Sequence, residues 1–117
     1  MVTVLLSKAL ICFSGLCYPA LVGDNTPTGT YSMTQRYVTA NGYGGDVIKF
    51  RQVGKDVYSI HRVWEGNPSQ KRRQRLNSSK VSDRMSVSSG CINVDEKVYM
   101  MLLNELENDN STLTIIP

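Results

Sequence analysis

The sequence has no apolar run of the roughly 18 residues that a membrane-spanning helix requires, so we expect no membrane span. Cysteine is scarce as well. The chain has only Cys12, Cys17 and Cys91, and an odd number leaves at least one thiol free in a monomer. His61 is the single histidine. Imidazole ordinarily titrates near neutral pH and is therefore suited to act as a general base. Because the chain has one histidine, an imidazole base in this protein has to be His61.

A strong charge of one sign is also missing. The 13 Lys and Arg residues against 10 Asp and Glu residues give a net charge of +3, too small to indicate a nucleic-acid partner. Residues 71–84 nevertheless hold six cations with no aromatic residue among them. These are Lys71, Arg72, Arg73, Arg75, Lys80 and Arg84. Such a cluster is typical of a solvated loop. The alternative interpretation is a mobile lid that attracts anions. A nuclear-localisation signal is a weaker match to the sequence.

Length and composition predict one folded domain spanning 1–117. Of the 117 residues, 41% are apolar and 20% are charged, which is enough for a modest core. No basic residue precedes the first apolar run, Val2–Leu6, and Lys8 interrupts the apolar stretch. We therefore expect that the N-terminus is not a signal peptide.

Short apolar runs separated by turn residues indicate a mainly β fold. The predicted strands are Val2–Leu6, Leu10–Phe13, Leu16–Val22, Thr30–Thr39, Val47–Gln52, Val57–Trp64 and Thr112–Ile116. Residues 41–45 are typical of a flexible loop, and residues 69–89 show no clear period. This pattern predicts a β-sandwich or a partly open barrel.

One helix is predicted towards the end of the chain. Apolar residues spaced by three and four positions favour a helix over about Val94–Asn108. Asn93 followed by Glu96 fits a capping box, and acidic side chains suit the positive end of the helix dipole. The helix would therefore begin just after Cys91.

Cys12 and Cys17 flank a predicted two-residue turn at Ser14 and Gly15. In such a hairpin they would face each other with Cα atoms about 4.5 Å apart. A disulfide is then geometrically allowed and would favour the periplasm, whereas two reduced core cysteines fit the sequence equally well.

Cys91 is the most informative residue. A cysteine near a helix N-terminus gains from the dipole, which favours the thiolate. Gly90 lets a substrate carbonyl approach the backbone, and the amides of Gly90 and Cys91 are suited to an oxyanion hole. His61 is the candidate general base. The alternative is a buried structural cysteine, because catalytic Cys/His pairs have no transferable sequence spacing.

The segment Ser88-Ser89-Gly90-Cys91-Ile92-Asn93, the upstream His61 and the segment Thr26-Pro27-Thr28-Gly29-Thr30-Tyr31 together resemble the L,D-transpeptidase catalytic domain. This cysteine-dependent family remodels bacterial peptidoglycan, and the resemblance covers nearly the whole chain. Its signature is a histidine, a spacer, then Ser/Thr-His-Gly-Cys-hydrophobic-Asn or -Arg. Two departures stand out. Ser89 replaces the second histidine, and the spacer, residues 62–87, is long.

The resemblance implies acyl transfer through a thioester. Cys91 would attack the third residue of a stem tetrapeptide and expel the terminal D-Ala, with His61 as the base and Ser88 in the catalytic set. In this family a backbone carbonyl often orients the base. A second stem would resolve the thioester to a 3→3 cross-link, and water would make the protein an L,D-carboxypeptidase. A wall-binding module without turnover is one further alternative, and a basic nucleic-acid-binding β-domain, whose affinity would fall steeply with salt, is another.

The same resemblance implies the partners. We expect peptidoglycan stem peptides as substrates, carbapenems as acylating inhibitors, no cofactor, no metal and a monomer in the periplasm or cell envelope. A cytoplasmic recycling enzyme and a secreted effector are the alternatives. The candidate substrate-binding residues are Arg84, Asn93, Ser89, Trp64 and Tyr43. Among them Arg84 is the preferred carboxylate ligand, and the two aromatic residues would line the cleft or belong to the core.

Overall fold

The computed structural model describes residues 1–38 and 45–117. The strands there are β1 (Val2–Leu5), β2 (Leu10–Phe13), β3 (Leu16–Pro19), β4 (Gly29–Ser32), β5 (Thr34–Arg36), β6 (Val47–Val53), β7 (Asp56–Arg62), β8 (Ile92–Val94) and β9 (Thr112–Ile116). The helices are α1 (Arg72–Leu76) and α2 (Glu96–Glu107), and 3-10 turns lie at Leu6–Lys8, Pro68–Gln70 and Val81–Arg84. No helix in the described ranges is long and apolar enough to cross a membrane.

The strands form two sheets. One sheet has five strands in the order β3-β2-β1-β9-β4, and the other has four in the order β5-β6-β7-β8. Buried apolar side chains from both sheets and from α2, such as Val4, Ile60 and Leu102, meet in one core. This arrangement confirms the predicted mainly β fold in its sandwich form, because the sheets do not close into a barrel.

Two predicted strands are too long, because the chain changes sheets within them. The strand predicted over Leu16–Val22 ends at Pro19, and Leu21 then exchanges two backbone hydrogen bonds of 2.9 and 3.0 Å with Asn93. The strand predicted over Thr30–Thr39 divides at buried Met33 into β4 and β5, which belong to different sheets. Thr39 and residues 41–44 of the predicted loop lie outside the described residues.

Cys12 and Cys17 lie opposite each other on β2 and β3 and form a disulfide, with Cα atoms 4.0 Å apart. Ser14 and Gly15, the predicted turn, both have positive φ, as a two-residue hairpin of this kind requires. Of the two alternatives that the sequence leaves open, the disulfide is therefore the one present. Cys91 is the free cysteine.

The predicted start of the helix is wrong. Ile92–Val94 forms β8, which pairs in parallel with β7, so α2 begins only at Glu96. Asp95 caps the helix by accepting a hydrogen bond from the Lys97 amide, and Asn93 is not the cap. The first expected helical residue, Val94, is instead a fully buried strand residue.

The basic segment 71–84 packs against the domain. Its helix α1 was not predicted, and Leu76 of α1 is buried against Leu21 and Val63. Arg73 forms ion pairs with carboxylates that include Glu65 and Glu96. Arginines of the segment thus bind this protein's own groups.

Arg84 serves as an internal clamp. Its side chain is 5% exposed and donates to the backbone carbonyls of Ala9, Lys8 and Ser78 at 3.2, 3.0 and 2.7 Å. The guanidinium therefore joins the basic segment to the N-terminal strands, and it is not available as the expected carboxylate ligand.

We expect Arg84→Met to lower the free energy of unfolding by about 3 kcal/mol, because three carbonyls lose their charged donor in a buried place. Urea denaturation measures this loss. Lys80→Met, at an exposed position of the same segment, is the control and should change stability little. Equal stability of Arg84→Met and wild type would contradict the clamp.

Candidate active site

Strand pairing brings His61 and Cys91 together. His61 lies near the end of β7 and pairs with Asn93 of the parallel strand β8, and Cys91 immediately precedes β8. Both side chains line one cavity of about 240 Å³. Its other lining residues are Arg36, Val38, Val47, Val57 and Ser59.

His61 is held as a neutral ring in one tautomer. Its Nδ1 lies 2.7 Å from the Arg62 carbonyl oxygen. Because a carbonyl only accepts, Nδ1 carries the proton and Nε2 is left as the basic nitrogen. The side chain is 2% exposed. This burial, together with the charge of Arg72, lowers the pKa of His61 from 6.5 to about 4. The hydrogen bond to the Arg62 carbonyl opposes the change only in part.

The low pKa of His61 has a consequence for stability. The unfolded chain binds a proton below about pH 6.5 and the folded chain only below about pH 4, so stability present at neutral pH is lost as pH falls through this window. We expect the free energy of unfolding to drop by about 2 kcal/mol between pH 7 and pH 4.5. Urea midpoints at the two pH values measure it.

His61→Asn is the control for this window and should flatten the dependence. The carboxyl of Glu96, bonded to Arg73, has a pKa lowered to about 2 from 4.5, so most of its contribution is lost below pH 4.5. A wild-type midpoint that does not change between pH 7 and pH 4.5 would contradict the buried neutral imidazole.

The Cys91 thiol is also neutral at rest. It donates to the Val57 carbonyl at 3.7 Å. Burial raises its pKa above the ordinary 9.0, and the Ser59 backbone and the charge of Arg72 only partly oppose this. The expected thiolate stabilisation by the helix dipole is wrong, because β8 separates Cys91 from the start of α2 at Glu96. The resting pair is thus thiol and imidazole, both uncharged.

The loop before Cys91 is fixed by hydrogen bonds and by close packing. Ser88 Oγ donates to the Cys91 carbonyl, and Thr26 Oγ1 donates to the Gly90 carbonyl at 3.0 Å. A Cβ on Gly90 would lie 2.5 Å from the Tyr58 ring, so this position requires glycine. The loop also borders a second cavity of about 290 Å³. Its lining residues are Asn25, Lys55, Asp56, Val57, Tyr58, Ser89, Gly90 and Cys91.

We compared the chain with known proteins. No protein-family profile and no curated protein sequence matches it. A similar solved structure is the crystal structure of the L,D-transpeptidase (residues 123–326) from Xylanimonas cellulosilytica DSM 15894, with a TM-score of 0.55 and 16% identity. The match covers 98% of this chain and 59% of that chain. The likeness shows the fold. This chain has an L,D-transpeptidase-like fold and spans somewhat more than half the length of the chain it matches.

Within the L,D-transpeptidase-like fold, the predicted substrate-binding residues take different positions. Ser89 is exposed and lines the second cavity. Asn93 is fully buried, and its Oδ1 accepts from the Trp64 amide and from Arg72 Nη1 at 3.0 and 3.1 Å. The indole of Trp64 stacks against Arg72, whose guanidinium carbon lies 4.8 Å from the ring centroid. Tyr43 lies outside the described residues.

The expected lid is not seen over the two cavities described above. Arg84 is buried, and among residues 1–38 and 45–117 none from 71–84 lines either of these cavities. The basic segment affects the candidate site through Arg72. This residue donates a hydrogen bond to Asn93, and its charge disfavours protonation of His61. In the described ranges no three His, Cys, Asp or Glu side chains are placed to hold a metal ion.

Sequence reasoning missed the group that fixes the Arg62 carbonyl. The Arg62 guanidinium lies 3.2 Å from Asp46 Oδ1 and stacks over the Tyr99 ring at 4.1 Å. Tyr99 Oη also donates to Asp46 Oδ2 at 2.8 Å. These contacts anchor the end of β7, on which the orientation of His61 depends. The only signal in the sequence is an arginine next to the histidine.

Proposed function

We propose that this chain is a cysteine acyltransferase of the L,D-transpeptidase type that acts on peptidoglycan stem peptides. The observation that carries the proposal is that His61 and Cys91 line one cavity, with His61 Nδ1 bonded to a backbone carbonyl. The L,D-transpeptidase-like fold supports it. The resemblance of His61, Gly90 and Cys91 to the family signature in the sequence supports it as well.

The proposed reaction begins from an uncharged pair. Cys91 Sγ attacks the carbonyl of the third stem residue while its proton moves to His61 Nε2, because neither group is ionised at rest. The amides of Gly90 and Cys91 stabilise the developing oxyanion. Collapse of the intermediate breaks the peptide bond, and His61 returns the proton to the amine of the departing D-Ala.

The thioester on Cys91 then has two fates. Attack by the side-chain amine of a second stem gives a 3→3 cross-link, and attack by water gives the tripeptide of an L,D-carboxypeptidase. The Cys12–Cys17 disulfide supports a location in the periplasm or cell envelope, because disulfides persist in oxidising compartments.

Mass spectrometry of a reaction with a purified tetrapeptide muropeptide tests the proposal. We expect release of D-Ala, a covalent tripeptidyl adduct on the protein, and either cross-linked dimer or free tripeptide. Protein whose Cys91 has been blocked by iodoacetamide is the control. Binding of the muropeptide without D-Ala release would indicate the wall-binding module, and neither binding nor release would refute the proposal.

A further inference from the structure

Arg36 is an arginine at the mouth of the cavity that contains Cys91. Its exposed side chain lines this cavity and also an adjoining cavity of about 450 Å³ on β5 and β6, which Lys49 lines as well. Neither cation forms an ion pair with a carboxylate of residues 1–38 or 45–117. Lys49 Nζ donates to the neutral Gln52 Oε1, whereas the arginines of the basic segment are bonded to carboxylates, amides and backbone carbonyls of this protein.

Strand register places both cations on the sheet face that carries His61. Arg36 pairs with Val47, and Lys49 pairs with Ser59 of β7. Because paired residues share a face and faces alternate along a strand, Arg36, Lys49, Ser59 and His61 all project from the same side. Arg51 is not part of this group. It follows a β-bulge, and it donates to Tyr31 Oη at 3.2 Å.

The walls of the cavity indicate what it accepts. Val38, Val47 and Val57 offer an apolar surface in the cavity that Cys91 lines, and Arg36 is the cationic residue among the lining residues. This combination fits an acyl donor that has aliphatic carbon near its reacting carbonyl and a carboxylate within reach of Arg36. Arginine suits the second feature, since its fork of N–H groups binds a carboxylate through two hydrogen bonds.

We propose that Arg36, with Lys49 behind it, binds a carboxylate of the acyl donor and thereby selects anionic donors for Cys91. This inference rests on the proposed function for the identity of the donor. On the sequence alone, Arg84 is the preferred carboxylate ligand. Arg36 and Lys49, on the face of β5 and β6, take this role instead.

Two alkylating reagents that differ by one charge test the cation without a substrate. Iodoacetate and iodoacetamide react with the same thiol, so the ratio of their rate constants measures attraction of a carboxylate to Cys91. We expect Arg36→Gln to lower the iodoacetate-to-iodoacetamide ratio two- to fivefold, the effect of roughly one exposed charge interaction. Arg36→Lys should restore part of it, and high salt should reduce the difference.

Lys97→Gln is the matched control, because Lys97 is exposed on α2 and lines neither of the two cavities described above. It removes the same net charge and should leave the ratio unchanged. An equal drop in Lys97→Gln would reduce the effect to net charge and overturn the proposal. A ratio that Arg36→Gln does not alter would overturn it as well.

Tetrapeptide donors then identify the carboxylate. A series of donors is prepared in which each carboxylate in turn is converted to a carboxamide, and kcat/KM is measured for each donor. We expect one of these conversions to lower kcat/KM for the wild-type protein but not for Arg36→Gln. Turnover that is equally fast for every donor would overturn the inference and leave the proposed function standing. An Arg36-dependent alkylation ratio without any turnover would refute the proposed function and leave the anion site standing.

Discussion

Cys91→Ala is expected to abolish covalent labelling of the protein and all release of D-Ala. Cys12 and Cys17 are bonded to each other, so Cys91 supplies the free thiol that can form a thioester. Wild-type protein should accordingly take up one carbapenem per chain, measured by intact mass, because a carbapenem would acylate the same nucleophile as the stem peptide. The variant should take up none.

The interpretation of this variant requires that it folds. The Cys91 side chain is only partly buried, and its hydrogen bonds are weak ones of sulfur to the Val57 carbonyl at 3.7 Å and to the Ser59 backbone, so we expect the circular dichroism spectrum and the urea midpoint to change little. A carbapenem adduct that persists in folded Cys91→Ala would remove Cys91 from the mechanism.

The local features of the fold could be predicted from the sequence, because they depend on neighbouring residues. The turn at Ser14 and Gly15 sets the register of its hairpin and thereby places Cys12 opposite Cys17. The strand Thr112–Ile116 also follows from its apolar pattern, and the structure has the same bounds. These predictions are confirmed, since two-residue turns and alternating patterns act over only a few positions.

The start of α2 could not be predicted, because Val94 satisfies two patterns at once. It continues the helical spacing of the residues that follow, and it also fits a buried strand. Pairing of β8 with β7 decides between them, since Ile92, Asn93 and Val94 are all buried beside that strand. A parallel pairing across some thirty residues leaves no local signal.

The burial and the partners of the charged and titratable groups also could not be predicted from the sequence. Arg84 looks like any other cation of its segment, yet it is buried because it donates to carbonyls of Lys8 and Ala9, far away in the sequence. Burial likewise sets the ionisation of His61 and Cys91. The types of the candidate catalytic residues could be inferred from the sequence, but their protonation depends on tertiary packing.

His61→Asn is expected to slow acylation of Cys91 by about 10²–10⁴-fold, the range typical of general acid–base groups. Asparagine is the closest replacement, because its amide nitrogen can donate to the Arg62 carbonyl as Nδ1 does while Nε2 is absent. A neutral thiol with a raised pKa depends on such a base, since little thiolate is present without it.

The pH profile separates this role from a merely structural one. The base is active when unprotonated, so with a pKa of about 4 the wild-type acylation rate should stay high as pH falls from 7 to 5.5, whereas an ordinary imidazole would lose most of its basic form there. In His61→Asn the rate should instead rise about tenfold per pH unit with the thiolate fraction. Single-turnover carbapenem acylation from pH 5.5 to pH 9 measures both profiles. If the wild-type rate falls with a midpoint near pH 6.5, His61 is not the buried neutral base. If the rate of His61→Asn matches that of wild type at every pH, His61 does not act as the base at all.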